Sequence, residues 1–187
     1  GFDSDVRAHA AQEIAKTGVD LRFETNVSAI SRGADGLQLE LTDGSSIEAD
    51  AVLYATGRKP NLAGLGLENV EIELNKDGTI AVDEHFRTSE PSIFALGDVT
   101  GGMELTPVAL AEGMAFARRE FDHQKTSPEY DFIPTEVFCQ PNIGTVGFTE
   151  EQAQARFDDI ELYKSTFKPM KHTISGRDER SFMKMIV

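Results

Sequence analysis

An aspartate and the start of a helix stand close together in the middle of the chain, and these are the residues best suited to chemistry. Residues 93–96 (IFAL) are apolar, which predicts a short buried strand, and Gly97-Asp98 follows directly. A carboxylate at the carboxyl end of a strand lies where open α/β sheets bind ligands. Further on, Thr106-Pro107 predicts a helix start, with Thr106 as cap and Pro107 at the first helical position. The pattern suits a ligand with ribityl or ribose hydroxyls at one end and an electron-poor ring at the other.

The predicted helix after Thr106 has both a chemical and a structural role. Its first backbone N–H groups have no partner inside the helix, and the helix dipole is positive at that end. Such groups stabilise negative charge on an electron-accepting ring. The same helix carries apolar residues at helical spacing, which predicts that this stripe packs in the core. The stripe consists of Leu110, Met114, Ala117 and Phe121.

A second candidate position follows the apolar run of residues 51–55, which predicts a central strand. Gly57 comes next, and a glycine allows a ligand or another backbone to approach closely. Arg58 could bind a pyrophosphate or bridge two domains, and the residues alone favour neither. Gly101 and Gly102 are interpreted as loop glycines, because no helix follows within two residues.

The remaining patterns predict the elements that must position these residues. Helical spacing and capping residues predict a helix from Asp3 to Lys16 and a short one from Thr149 to Arg156. Alternating residues predict a small antiparallel meander and a further strand at 79–82. Residues 123–130 are polar and predict a linker. The predicted meander comprises residues 26–31, Leu37–Leu41, a strand at Ile47, and turns at Asp43-Gly44 and Gly33-Ala34-Asp35-Gly36.

Composition limits the classes of partner. The 187 residues carry a formal net charge of −14, which argues against nucleic acid or an anionic membrane as partner. No apolar run is long enough to span a membrane. The one cysteine, Cys139, excludes an intrachain disulfide, favours a cytoplasmic protein, and is predicted to be a small buried hydrophobe. The charged run at residues 177–180 is predicted to be a solvated turn with internal ion pairs.

Four motifs, in order along the chain, resemble the pyridine-nucleotide disulfide oxidoreductases. Within this family the second and fourth motifs are most similar to the glutathione reductase branch, the fourth to its bacterial and plant members. Met114 departs from the arginine that many members of that branch place there. The motifs are ATGRKPN at residues 55–61, SIFALGDVTGGMELTPVALAEG at 92–113, IPT at 133–135 with PNIGTVGFT at 141–149, and FKPMK at 167–171 with SGRDER at 175–180.

The resemblance implies a fold of the α/β and α+β classes. It predicts a partial FAD- and NAD(P)-binding two-domain fold followed by the beginning of an α+β dimerisation domain. Residues 1–60 would be the C-terminal half of the NAD(P)-binding domain, and residues 61–130 would complete the FAD-binding domain. Residues 131–187 would be the N-terminal part of the dimerisation domain.

The resemblance also implies roles for individual residues. Asp98 would accept a hydrogen bond from the flavin's ribityl hydroxyl, and the backbone N–H of Thr106 would face the flavin ring. Gly57 and the backbone of Glu104 would lie against the nicotinamide nucleotide. No catalytic residue and no metal ligand is predicted in this chain. The predicted cofactor-binding set is therefore Asp98, Thr106, Leu105, Glu104, Gly57 and Arg58.

The implied activity is FAD-dependent reduction of glutathione disulfide by NADPH, in a homodimer formed through the C-terminal domain. The family's two GxGxxG motifs, its CxxxxC pair and its His-Pro motif are not found in these 187 residues. We therefore expect the middle and later part of a longer subunit, which by itself binds FAD weakly or not at all and is inactive. The alternatives are a trypanothione reductase, a dihydrolipoamide dehydrogenase relative, and a non-catalytic dimerising module.

Overall fold

The computed structural model describes residues 1–33 and 36–187, which form two compact units. One unit combines Gly1–Val52 with Tyr130–Val187, and the other is Leu53–Glu129. The first and last parts of the chain therefore belong to the same compact unit. The assignment of residues 1–60, 61–130 and 131–187 to three family domains stays a prediction. None of the helices in the described residues is long and apolar enough to cross a membrane.

The first unit begins with helix α1, Ser4–Ala15, and a three-stranded antiparallel sheet. Asp3 caps α1, since its side chain accepts a hydrogen bond from the Asp5 N–H at 2.9 Å. The strands are β1, Val27–Arg32, β2, Leu37–Leu41, and β3, Ser46–Ala49, in the order β1-β2-β3. The predicted helix and meander are confirmed. Ala34 and Asp35 of the predicted turn lie outside the described residues.

The C-terminal part of this unit consists of two hairpins and two short helices. Strands β4, Thr135–Val137, and β5, Ile143–Thr145, pair antiparallel. Helix α3, Glu150–Arg156, starts after Thr149, as the sequence predicts, and Thr149 and Gln152 form a capping box there. Strand β6, Leu162–Phe167, pairs with β7, Ser181–Ile186, and α4, His172–Ser175, lies between them in sequence.

Cys139 lies between β4 and β5 and differs from its prediction. It is half-buried, and its Sγ lies 3.1 Å from the carbonyl oxygen of Pro141. The sheet around it has only two hydrogen-bonded strands among the described residues, and a sheet of that size encloses few side chains.

The β6–β7 hairpin presents two different faces. Lys184 and Phe182 point towards α1, where Phe182 lies against His9 with ring centroids 5.4 Å apart. On the opposite face the cross-strand pair Tyr163 and Met185 is exposed, at 53% and 57%. Because side chains alternate along a strand, one face contacts α1 while the other is apolar and open.

The second unit is built around helix α2, Thr106–Asp122, and a 3₁₀ turn at Gly97–Thr100. The strands predicted at 79–82 and 93–96 are present only as single bridges, Leu74 to Ile80 and Arg87 to Phe94. Residues 51–55, predicted as a central strand, form neither helix nor strand. A strand forms only where a neighbouring segment pairs with its backbone N–H and C=O groups. The runs at 79–82 and 93–96 each pair with such a segment at a single residue pair, and residues 51–55 form no such pair.

The apolar stripe predicted on α2 faces solvent, so that prediction is wrong. Leu110 and Phe121 are 66% and 79% exposed. The buried residues of the helix are instead Val108, Glu112 and Ala115. Both sets recur every three to four residues, and periodicity does not say which of two such faces packs. The face that carries Glu112 is the buried one, and Glu112 accepts a hydrogen bond from the Gly97 N–H there.

Candidate functional site

Asp98 lies inside the 3₁₀ turn, not at the end of a strand as the sequence predicts. Its carboxylate is 45% exposed, and its Oδ2 is 3.7 Å from Arg58 Nη2. The same guanidinium places Nε 3.7 Å from Glu104 Oε2. The structure thus brings three of the predicted site residues together. Since all three side chains are exposed, these ion pairs are screened and hold the group only weakly.

The turn that carries Asp98 is held by hydrogen bonds from several directions. The Gly97 N–H donates to Glu112 Oε2 at 2.6 Å, and the Thr100 hydroxyl donates to the Gly97 carbonyl at 2.8 Å. The Ile80 N–H donates to the carbonyl of Val99 at 2.8 Å. Asp98 therefore has a fixed backbone although its side chain reaches into solvent.

The N-terminus of α2 remains open to an outside partner. Thr106 is its first helical residue and Leu105 is the capping residue, which corrects the prediction that Thr106 caps the helix. No side chain among the described residues caps this end, and its first turn contains no acidic residue. Leu105 has extended backbone, and its own N–H donates to the Met103 carbonyl at 2.8 Å. The positive end of the helix dipole is therefore available to an electron-rich group.

Gly57 has a backbone conformation that other residues rarely adopt, with φ of +119°. A Cβ atom built on it would meet nothing within 4 Å among the described atoms. The glycine is thus explained by its φ angle, and the space beside it is open. Such a position admits close approach of a ligand to the backbone.

These features together match the chemistry of a flavin and a nicotinamide nucleotide. A partly exposed carboxylate suits a hydroxyl group, and an uncapped helix N-terminus suits a ring that gains negative charge. The residues present therefore fit the cofactors implied by the sequence. Among the described residues, no group of three His, Cys, Asp or Glu side chains is placed to hold a metal ion.

A second polar cluster, in the first unit, has no counterpart in the sequence predictions. Lys184, whose side chain is 4% exposed, places Nζ 2.8 Å from Asp3, 2.7 Å from Asp5 and 2.7 Å from Glu150. Lys164, 41% exposed, contacts the same Asp5 and Glu150 at 2.7 and 3.3 Å. No local signal reveals this cluster, because its members lie up to 181 residues apart in sequence. It joins the start of α1 to α3 and β7.

The cluster shifts the pKa values of its members. Burial alone would raise the pKa of Asp3, but hydrogen bonds from Lys184 and the Glu150 N–H outweigh it and lower that pKa. Hydrogen bonds from Lys164 and then Lys184 lower the pKa of Asp5, and Lys184 lowers the pKa of Glu150. Burial opposes the charge of Lys184, yet its three carboxylate partners raise its pKa above the usual range.

We expect these shifts to make folding stability depend on pH. Because these carboxyl pKa values are lower in the folded chain than in the unfolded chain, the unfolded chain takes up protons first as the pH falls. The stabilisation that these carboxylates give the folded chain is therefore complete above about pH 5 and is lost as pH falls below about 4. The raised pKa of Lys184 keeps its contribution complete below about pH 10. Urea midpoints measured across this range test the expectation. A Lys184→Met variant should show a shallower acid decline, and an equal decline in both proteins would contradict the assignment.

A buried histidine is a further polar group that the sequence did not single out. His172 is 5% exposed, with Nε2 3.0 Å from Glu179 Oε1 and Nδ1 3.1 Å from the Ser175 hydroxyl. The hydrogen bond with His172, followed by Lys171, lowers the pKa of Glu179. Both ring nitrogens of His172 are therefore satisfied, and its observed role is to hold the segment between β6 and β7.

The charged run at residues 177–180 makes its contacts outside itself, so the predicted internal ion pairs are wrong. Lys16 Nζ lies 3.5 Å from Asp178 Oδ2, and the Arg180 N–H donates to Glu13 Oε2 at 2.9 Å. Opposite charges adjacent in sequence predict pairing only when no better partner approaches. Here Glu13 of α1, Lys16 just after α1, and the Lys171 and His172 side chains supply those partners.

Comparison with known proteins gives matches along almost the whole chain. The profile of the pyridine nucleotide-disulphide oxidoreductases matches residues 1–113, and that of their dimerisation domain matches residues 133–187. Glutathione reductase of Burkholderia cepacia is 46% identical over 187 residues, which cover 100% of this chain and 42% of that protein. The chloroplastic/mitochondrial glutathione reductase of Pisum sativum is also 46% identical, over 188 residues that cover 100% of this chain and 34% of that protein.

A solved structure is similar over the same extent. The HOCl-induced flavoprotein disulfide reductase RclA from Escherichia coli superimposes with a TM-score of 0.88 at 31% sequence identity. The match covers 99% of this chain and 42% of that chain. The chain thus spans less than half the length of each of these three proteins.

Proposed function

This chain belongs to the pyridine nucleotide-disulphide oxidoreductases, and from that premise we propose that it is part of an FAD-dependent enzyme that uses NADPH to reduce glutathione disulfide. One observation carries the proposal. The Asp98 turn and the uncapped N-terminus of α2 lie in the same compact unit, and the Gly97–Glu112 hydrogen bond joins the turn to the middle of α2. The identity to two glutathione reductases supports the choice of disulfide.

The residues divide between the two cofactors by their chemistry. Asp98 would accept a hydrogen bond from a ribityl hydroxyl, and the Thr106 N–H with Leu105 would lie at the ring. Gly57, Arg58 and Glu104 form the proposed set for the nicotinamide nucleotide. When bound, the flavin supplies a ring that accepts hydride. The part of this chain is to orient that ring and to stabilise negative charge at one edge through the α2 N-terminus.

No residue of this chain is proposed as catalytic. Reduction of a disulfide through a thiol pair needs two cysteines, and the 187 residues contain one. We therefore expect the purified chain with added FAD and NADPH to reduce glutathione disulfide no faster than a no-protein control. Turnover above that control would contradict the proposal that this chain supplies no catalytic residue.

The proposed partner is a second copy of the protein, bound through residues 131–187. The match of the dimerisation-domain profile supports this, as does the exposed apolar face of β6–β7 with Tyr163, Met183 and Met185. Burial of such a face favours association even though the chain has a net charge of −14, because salt screens charges beyond about 8 Å. Light scattering at micromolar concentration should report a dimer or larger species, and a monomer would contradict this part of the proposal.

The experiment that tests FAD binding is the Asp98→Ala variant. We expect the chain to bind FAD too weakly to survive gel filtration but measurably by quenching of flavin fluorescence. Loss of a charge-assisted hydrogen bond should weaken that binding at least about tenfold. Asp131→Ala is the control, because it removes the same charge from an exposed position in the other compact unit. Equal affinity in both variants, or no quenching by the unsubstituted chain, would contradict the proposed site.

A further inference from the structure

A carboxylate is buried in the interior of α2, where the sequence predicts nothing of chemical interest. Glu112 is 5% exposed, and its Oε2 accepts the Gly97 N–H at 2.6 Å. Hydrogen bonds to an ionised acceptor are shorter and stronger than those between neutral groups. This contact therefore joins the middle of the helix to the turn that carries Asp98.

The turn lies so close to α2 that a side chain at Gly97 would crowd Ala109. Gly97 has φ of +74°, and a Cβ built on it would be 3.2 Å from the Cβ of Ala109. The Gly97 carbonyl accepts the Thr100 hydroxyl at 2.8 Å, so both of its backbone polar groups are bonded. The absence of a side chain at Gly97 is what lets its N–H reach Glu112.

The Gly97–Glu112 hydrogen bond also constrains the distance between Asp98 and the N-terminus of α2. Asp98 directly follows Gly97, whereas Thr106 begins the helix in which Glu112 lies. A tie between Gly97 and Glu112 thus sets where the Asp98 carboxylate stands relative to the N-terminus of α2. Those two groups would hold opposite ends of the same ligand, and their spacing must match it.

We propose that Glu112 is a positioning residue for the flavin site. Its carboxylate anchors the Gly97 amide and thereby fixes Asp98 relative to the α2 N-terminus. This inference rests on the proposed function for its purpose, but the anchoring itself is a property of the unliganded chain. Removing the acceptor would leave the Gly97 N–H without its bond in a packed position, and the turn would shift away.

The test measures amide hydrogen exchange in the full chain without ligand. Glu112→Leu should raise the exchange rate of the Gly97 amide at least about tenfold, while the Ala115 amide inside α2 changes little. Glu112→Gln keeps an acceptor oxygen at the same reach and should restore protection to within about threefold of the original. Glu120→Leu makes the same change at a half-buried position of the same helix and should leave Gly97 unaffected.

The outcomes separate anchoring from general destabilisation. If Glu112→Leu fails to fold, Glu112→Asp keeps the charge but shortens the reach, and it should still expose the Gly97 amide selectively. Unchanged Gly97 exchange in the folded variants, or an equal rise throughout α2, would overturn the proposal.

Flavin fluorescence then separates the positioning role from the proposed function. FAD affinity should fall at least about tenfold in Glu112→Leu and recover in Glu112→Gln, whereas a merely structural residue would leave affinity unchanged in every folded variant. If Gly97 exchange responds as expected but the unsubstituted chain does not quench flavin fluorescence, the proposed function fails while the anchoring stands. If the unsubstituted chain binds FAD and Glu112→Leu binds it equally well, the positioning role fails alone.

Discussion

Replacing Lys184 by methionine should lower the free energy of unfolding by about 3 kcal/mol, the largest single effect we expect in this chain. Methionine has a similar volume but no charge, so Asp3 and Glu150 lose their buried counterion. Asp3 is 6% exposed and has little access to water in exchange. The expected loss of stability is at the lower end of the range for breaking a buried ion pair. The reason is that Lys164 still contacts two of the three carboxylates. Urea unfolding followed by circular dichroism gives the measurement.

Lys164→Met is the matched control for this prediction. Lys164 contacts Asp5 and Glu150, as Lys184 does, but its side chain is 41% exposed and water replaces much of what it provides. We expect its substitution to have a much smaller effect. Equal losses in the two variants would show that burial of Lys184 does not determine its contribution.

Replacing Gly101 by alanine should lower the free energy of unfolding by about 2 kcal/mol, for two independent reasons. Gly101 has φ of +77°, which strains any residue with a Cβ. That Cβ would also lie 2.8 Å from the hydroxyl oxygen of Thr79. Thr79 is 6% exposed, and its hydroxyl already bonds Asp77 at 2.7 Å and Asn75 at 3.0 Å, so it has no free direction in which to move.

The neighbouring glycine offers the control. A Cβ at Gly102 would meet nothing within 4 Å, and its φ is not in the left-handed region. Gly102→Ala should therefore change stability little. Because Gly101 ends the turn that begins at Gly97, we expect Gly101→Ala, unlike Gly102→Ala, also to alter the amide environment of Asp98 in NMR spectra. Indistinguishable stabilities of the two variants would contradict the steric argument.

The local elements of the fold were predictable from the sequence. The capping residues Asp3 and Thr149 stand next to the helices they start, and Asp43-Gly44 stands inside the turn it forms. Each of these signals acts over about four residues, so the chain needs no distant contact to express it. The predicted fold class and the family are confirmed for the same reason, since ordered local motifs identify both.

The sequence also identified residues of the candidate site without their arrangement. The sequence indicates three of these residues separately, namely Arg58, Asp98 and Glu104. In the structure the Arg58 guanidinium lies 3.7 Å from each of the two carboxylates. Asp98 was expected at a strand end and lies in a 3₁₀ turn instead. The apolar run before it predicted a strand, but strand formation depends on a neighbouring segment that the run itself does not specify.

Only the tertiary structure decided which groups are buried and what they contact. α2 has two faces of suitable period, and packing buried Glu112 while leaving Leu110 exposed. Nothing in the sequence near Lys184 indicates its role, because its partner Asp3 lies 181 residues away along the chain. Burial and ion pairing depend on the whole set of neighbours in space, whereas a helix cap depends on the next few residues along the chain. The sequence by itself therefore determined the elements and the candidate residues, and three-dimensional packing determined the contacts that hold them in place.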